Sequence, residues 1–139
     1  MQKIKISNII YPESFQTQYL YCYIAFNNEL KEMIEQSGYK SEFVKKFRKS
    51  LRFLEGLKEN CIKQGKLFEK LKKTKDLYSI MLKGEKNIRI LFTFMNYNNS
   101  KKAILLYVFE EKDSNNNSKT GYSGAIEIAN QRIIEIKND

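Results

Sequence analysis

Residues Leu77–Glu110 read LYSIMLKGEKNIRILFTFMNYNNSKKAILLYVFE. Runs of aliphatic and aromatic residues alternate here with short polar breaks, the pattern of consecutive strands. Three strands are predicted: Leu77–Lys83, Ile88–Met95 and Ala103–Glu110. Gly84–Asn87 forms the first turn, and Asn96–Lys101, with Asn98 and Asn99, forms a polar loop between the second and third. Short connections make antiparallel pairing the favoured arrangement. The last two strands are apolar at nearly every position, so they belong in the centre of a sheet with cover on both faces.

The cover must come from the flanking segments. Upstream, Ser41 can cap a long helix whose apolar residues Phe43, Phe47, Leu51, Leu54, Leu57 and Cys61 recur at spacings of three and four. Gly56 weakens it and Gly65 is its expected stop. A shorter helix, Glu29–Gln36, precedes it, with Leu30, Met33 and Ile34 on one stripe and Gly38 as its stop. Gly38–Lys40 would turn the two into a helical hairpin. Tyr19–Phe26 (YLYCYIAF) reads as a further strand. Before it, Pro12 interrupts Met1–Gln18, which reads as an edge strand or an arm. Downstream, Lys112–Gly124 reads as a polar loop, and Ala125–Lys137 as a helix with Ile126, Ala129, Ile133 and Ile136 on one face. The expected fold is α+β: a small, mostly antiparallel sheet with the helical hairpin on one face and a C-terminal helix.

At 139 residues the chain makes about one domain. It lacks both the roughly 20-residue apolar run of a membrane span and the apolar core of a signal peptide in its first residues. The expectation is a cytoplasmic protein with no membrane association. Cys22 and Cys61 are isolated and read as core residues of a reducing compartment. There is no histidine, which excludes Ser-His-Asp and Cys-His nucleophile systems and removes the commonest transition-metal ligand. No phosphate-binding glycine motif is present. No cofactor and no metal site are expected, and any chemistry must come from Lys, Arg, Tyr and carboxylates.

The net charge is +9. Lys40–Lys75 holds 13 basic and four acidic residues, a surplus equal to the charge of the whole chain. A basic block beside a neutral remainder is the footprint expected for a polyanion or an acidic partner; the plain alternative is a solvated lysine face. Lys45, Arg48, Lys49 and Arg52 recur at helical spacing within it, and Lys72 and Lys73 follow. If the partner is a polyanion such as RNA, these six are the expected phosphate contacts. Tyr19, Tyr21 and Tyr23, on alternate strand positions, could stack on bases, though packing is the commoner use of such rings.

The fragments GKLFEKLKKTKDLYSIML (Gly65–Leu82), NIRILF (Asn87–Phe92), ILLYVFEEK (Ile104–Lys112) and EIANQR (Glu127–Arg132), in this order and spacing, resemble the RelE/ParE superfamily of toxins from type II toxin–antitoxin systems. The likeness is closest to the phage-derived HigB-like branch and covers roughly Lys40–Ile136. It implies one toxin domain over residues 1–139, with residues 1–18 as an N-terminal extension. It also implies a metal-independent endoribonuclease that cuts mRNA on the ribosome and so inhibits translation. The implied partners are mRNA, the ribosome and a cognate antitoxin, with operator DNA reached only through the antitoxin complex. By the same resemblance Arg89 is the arginine at the scissile phosphate, and Lys83, Lys112, Lys119 and Tyr122 supply the remaining catalytic groups. The chain departs from the family pattern at Met81, where an arginine is usual, at Tyr107-Val108, and at Glu110-Glu111, where basic residues are usual. These departures point to a second reading: a non-catalytic protein of the same fold, such as a ParE-type gyrase inhibitor or an inactive relative.

Metal-free RNA cleavage needs a base for the 2′-OH, cations for the charge building on phosphorus, and an acid for the leaving 5′-oxygen. Strand order predicts that Arg89, Lys83 and Lys112 converge at one end of the sheet without a carboxylate. If Arg89 is instead structural, it should pair with an acid such as Glu110.

Overall fold

The computed structural model describes residues 5–111 and 118–138, the side chains of residues 118–121 excepted. Its elements are β1 (Ile6–Ser7), β2 (Leu20–Tyr23), α1 (Phe26–Glu35), α2 (Lys40–Leu57), a 3₁₀ turn (Lys58–Lys63), β3 (Phe68–Lys70), β4 (Tyr78–Leu82), β5 (Ile88–Tyr97), β6 (Ser100–Glu110) and α3 (Ser118–Lys137). The strands form one sheet in the order β1-β2-β6-β5-β4-β3. All pairs are antiparallel except β2 with β6, which the helical hairpin between the first strands and the rest makes parallel. The α+β class, the helical hairpin on one face and the C-terminal helix are all present.

Each face of the sheet has its own core. On one side Phe26, Leu30, Ile34, Phe43, Phe47, Leu51 and Leu54 of the hairpin pack on Leu20, Cys22, Ile80, Ile90, Phe92 and Leu105. On the other, Ala125 and Ala129 of α3 lie against Leu91, Ile104, Leu106 and Phe109. The two alanines let the α3 backbone come close to the sheet. β6, like β5, serves both cores by alternation, and a bulge opposite Leu91/Phe92 leaves Leu106 without a partner in β5 and shifts that alternation by one residue. Val108 then faces the hairpin and Phe109 faces α3.

Several boundaries differ from the sequence-based expectation: the strand expected to reach Phe26 ends at Tyr23, and α1 starts at Phe26 rather than Glu29. The long helix ends at Leu57, not Gly65; Lys58 turns left-handed (φ +55°) and the 3₁₀ turn swings Cys61 into the core. Asn96–Lys101 is no loop: β5 and β6 continue to a two-residue turn, because Asn98 and Asn99 both accept positive φ (53° and 70°). β3 was not expected, since a three-residue strand inside a lysine-rich run carries no readable alternation. α3 begins at Ser118 rather than Ala125, its first turns disguised by Gly121 and Gly124.

The arm before β2 is held by side chains. The Asn27 carboxamide accepts from the Ile10 and Tyr11 amides and donates to the Asn8 carbonyl. Arg48 donates to both carboxylate oxygens of Glu13. Glu35 accepts from Tyr11 at 2.8 Å and pairs with Lys40 at 2.8 Å. Arg48 holds the Glu13 carboxyl below the usual range, and Lys40, then Tyr11, do so for Glu35. A lowered carboxyl stabilises fully above its ordinary pKa, and that contribution is lost as pH falls through the lowered value. Acidification is therefore expected to release the arm before the sheet opens. In hydrogen exchange below about pH 4, the Phe15 amide, bonded to the Ile9 carbonyl, should lose protection while the Ile90 amide keeps it. Simultaneous loss at both would show that the arm and sheet open together.

Candidate functional site

Arg89 is the second residue of β5, with Met81 of β4 and Phe109 of β6 as its cross-strand neighbours. It lies on the α3 side of the sheet and is 7% exposed. Its Nη1 donates to the Ile88 carbonyl at 3.4 Å, and its Nε lies 3.6 Å from Oε2 of Glu111. That is an ion pair without a hydrogen bond, and among the described residues Nε has no hydrogen-bond partner. An incompletely bonded guanidinium at this depth costs stability.

The first turns of α3 bring Tyr122 to the same place. Its ring meets Phe109 edge to face at 5.1 Å. Burial pushes its phenol pKa up, offset in part by the nearby Ser79 hydroxyl and the Arg89 charge. Ser79 Oγ itself is buried without a partner at hydrogen-bond geometry, so its influence on Tyr122 is that of a neighbouring dipole.

The expected convergence of Arg89, Lys83 and Lys112 without a carboxylate is corrected here. Arg89 faces an acid, and it is Glu111 rather than Glu110. Arg89 and Tyr122 share Phe109 as a neighbour, the one by strand register and the other by ring contact. Lys112 and the Lys119 side chain lie outside the described residues.

Lys83 belongs to a different feature. It follows β4, and with Lys46, Lys49, Lys66, Leu67 and Met81 it lines a cleft of about 140 Å³. The Lys46 ammonium donates to the Lys83 carbonyl and pairs with Glu42 at 2.8 Å. Gly84 makes room for that pair: a Cβ there would stand 2.8 Å from Glu42 Oε1. Met81 connects the two features, because it lines the cleft and is paired in register with Arg89.

The expected RNA contacts are divided among separate surfaces. Lys49 lines the cleft, and Lys45 and Arg52 are exposed on α2. Arg48 is engaged by Glu13. Lys72 and Lys73 are exposed on the turn after β3, at the other end of β4 from Lys83. The strand tyrosines serve packing: Tyr19 is over Lys58, Tyr21 against Tyr97, and Tyr23 under Arg132. Sequence reasoning missed Lys46 and Lys66 as cleft residues, and Glu111 as the partner of Arg89. Lys46 was readable only through its i,i+3 spacing to Lys49; Lys66 and Glu111 depend on the tertiary fold.

Arg89, Glu111 and Tyr122 thus place a cation, a carboxylate and a partly buried phenol on the α3 side of the sheet. Among the described residues no helix is long and apolar enough to cross a membrane. No family model, no curated protein and no solved structure matches the chain.

Proposed function

We propose that this chain is a toxin of the RelE/HigB kind that cleaves mRNA on the ribosome and is neutralised by a cognate antitoxin. It acts in the cytoplasm, and it meets operator DNA only as part of the antitoxin complex. The observation that carries this reading is that Arg89 and Tyr122 both flank Phe109 on one sheet face, with Glu111 3.6 Å from Arg89. The order of strands and helices supports it further.

In this mechanism the Glu111 carboxylate takes the 2′-OH proton, and the 2′-oxygen attacks the adjacent phosphorus. The bond to the 5′-oxygen breaks, and Tyr122 protonates that leaving group. The products are a 2′,3′-cyclic phosphate and a 5′-hydroxyl, and solvent resets both residues. Arg89 offsets the negative charge that builds on the phosphoryl oxygens. Induced expression should arrest growth and leave cellular mRNA with 5′-hydroxyl ends; co-expression of the antitoxin should restore growth.

A second reading, a non-catalytic binding protein of the same fold, is favoured by Met81 and Glu111, which leave Arg89 with an acid instead of a second cation. Growth arrest with intact mRNA would select this reading, and changed plasmid supercoiling would select its gyrase-inhibitor form. Normal growth with folded protein present would select the inactive relative.

A further inference from the structure

We infer that the cleft between α2 and the end of β4 holds a backbone phosphate of the RNA strand, apart from the Arg89 centre. The inference rests on the proposed RNA-directed function for the identity of the ligand, and on the cleft itself for the site. Lys46 and Lys49 reach it from α2, Lys66 from the segment before β3, and Lys83 from the end of β4. Three chain segments with no local sequence relation thus place cationic side chains around one concavity. Only Lys46 has a carboxylate partner among the described residues; Lys49, Lys66 and Lys83 have none.

Lys49, Lys66 and Lys83 line the cleft without a carboxylate partner among the described residues, and an anion between them would offset their mutual repulsion. The cleft, at about 140 Å³, is several times the roughly 30 Å³ share of a water molecule in the liquid. It is small for a folded partner and sufficient for one phosphate group with its nearest waters. Leu67 gives it an apolar wall along which lysine stems can lie. The position is also suited to a strand running across the site, since Met81 stands between the cleft and Arg89 in the register of β4 and β5. A phosphate held here would set the register of the RNA without reading its bases.

The test uses the full chain and a 2′-O-methyl oligouridylate, which lacks the attacking hydroxyl and reports binding alone. The double variant Lys49→Gln/Lys66→Gln should weaken binding about tenfold and make the slope of log affinity against log salt shallower by about 1 to 2. Lys72→Gln/Lys73→Gln makes the same change in net charge at the other end of β4 and should have a clearly smaller effect. Methyl resonances of Leu67 should shift when the oligonucleotide is added. Equal weakening by both pairs would overturn the inference, since only net charge would then matter. Unchanged affinity in the cleft variant would overturn it as well. Shifts with inorganic phosphate but not with the oligonucleotide would assign the cleft to a small free anion and also overturn it. None of these results depends on cleavage. Intact mRNA in the growth experiment would leave the cleft assignment standing, and a failed cleft variant would leave the 5′-hydroxyl ends to be explained by Arg89, Glu111 and Tyr122.

Discussion

Arg89→Met is expected to abolish growth arrest and reduce RNA cleavage by about 10²–10³-fold, while the melting temperature holds or rises. The two effects separate because the guanidinium is buried with Nε unbonded, whereas Glu111 is 23% exposed and can return to water. Removing the deeper member of the pair eliminates a desolvated charge, and methionine fills much of the same space. Replacing buried ionic groups by apolar ones of similar volume is often neutral or stabilising, by about 1–4 kcal/mol. Glu111→Gln runs the other way. It strands the guanidinium in the sheet, with an expected cost of about 3 kcal/mol, and it also removes the proposed base. Arg89→Lys should restore little activity, because a point charge lacks the planar fork. Thermal unfolding of the three variants beside an RNA-cleavage assay checks the asymmetry. A marked fall in melting temperature for Arg89→Met with activity retained would make Arg89 a structural residue.

The largest stability loss from one polar residue is expected at Arg132. From α3 it donates to both oxygens of Glu29 on α1, each at 2.6 Å, and to the Leu106 carbonyl at 2.8 Å. Its guanidinium also lies 4.4 Å from the Tyr23 ring centre and 5.2 Å from that of Tyr107. The carbonyl it satisfies belongs to the bulge residue that has no partner in β5. Arg132→Ala therefore leaves a carboxylate, a strand carbonyl and two ring faces without their partner. About 3 kcal/mol is expected, or roughly a 10 °C fall in melting temperature for a domain of this size. Arg132→Lys should recover only a minor part, since one ammonium cannot bridge Glu29 and Leu106 while stacking between rings. A double-mutant cycle with Glu29→Gln measures the coupling; a value near zero would move the stabilisation to the rings.

Much of the scaffold was legible locally. Ile88–Met95 and Ala103–Glu110 could only be central strands, and the spacing from Phe43 to Leu54 could only be a helix lying on them. The site was legible in part. Arg89 and Tyr122 were singled out by resemblance, and both neighbour Phe109 on one face of the sheet. Arg48 has the composition of an RNA contact, yet the arm sets Glu13 against it. The lysines that share a cleft come from three separate segments, so no spacing along the chain announces them.

By itself, then, the sequence determined the α+β class, the strands that fill the middle of the sheet, the amphipathic hairpin, and the absence of histidine chemistry. Those are consequences of periodicity and composition, which act over a few neighbouring residues. Only the tertiary structure decided that β2 runs parallel to β6, that a bulge at Leu106 calls for Arg132, and that Glu111 rather than Glu110 faces Arg89. Each of these depends on register between distant segments. A shift of one residue moves a side chain to the opposite face of a sheet, and nothing within a single strand records where its neighbour begins.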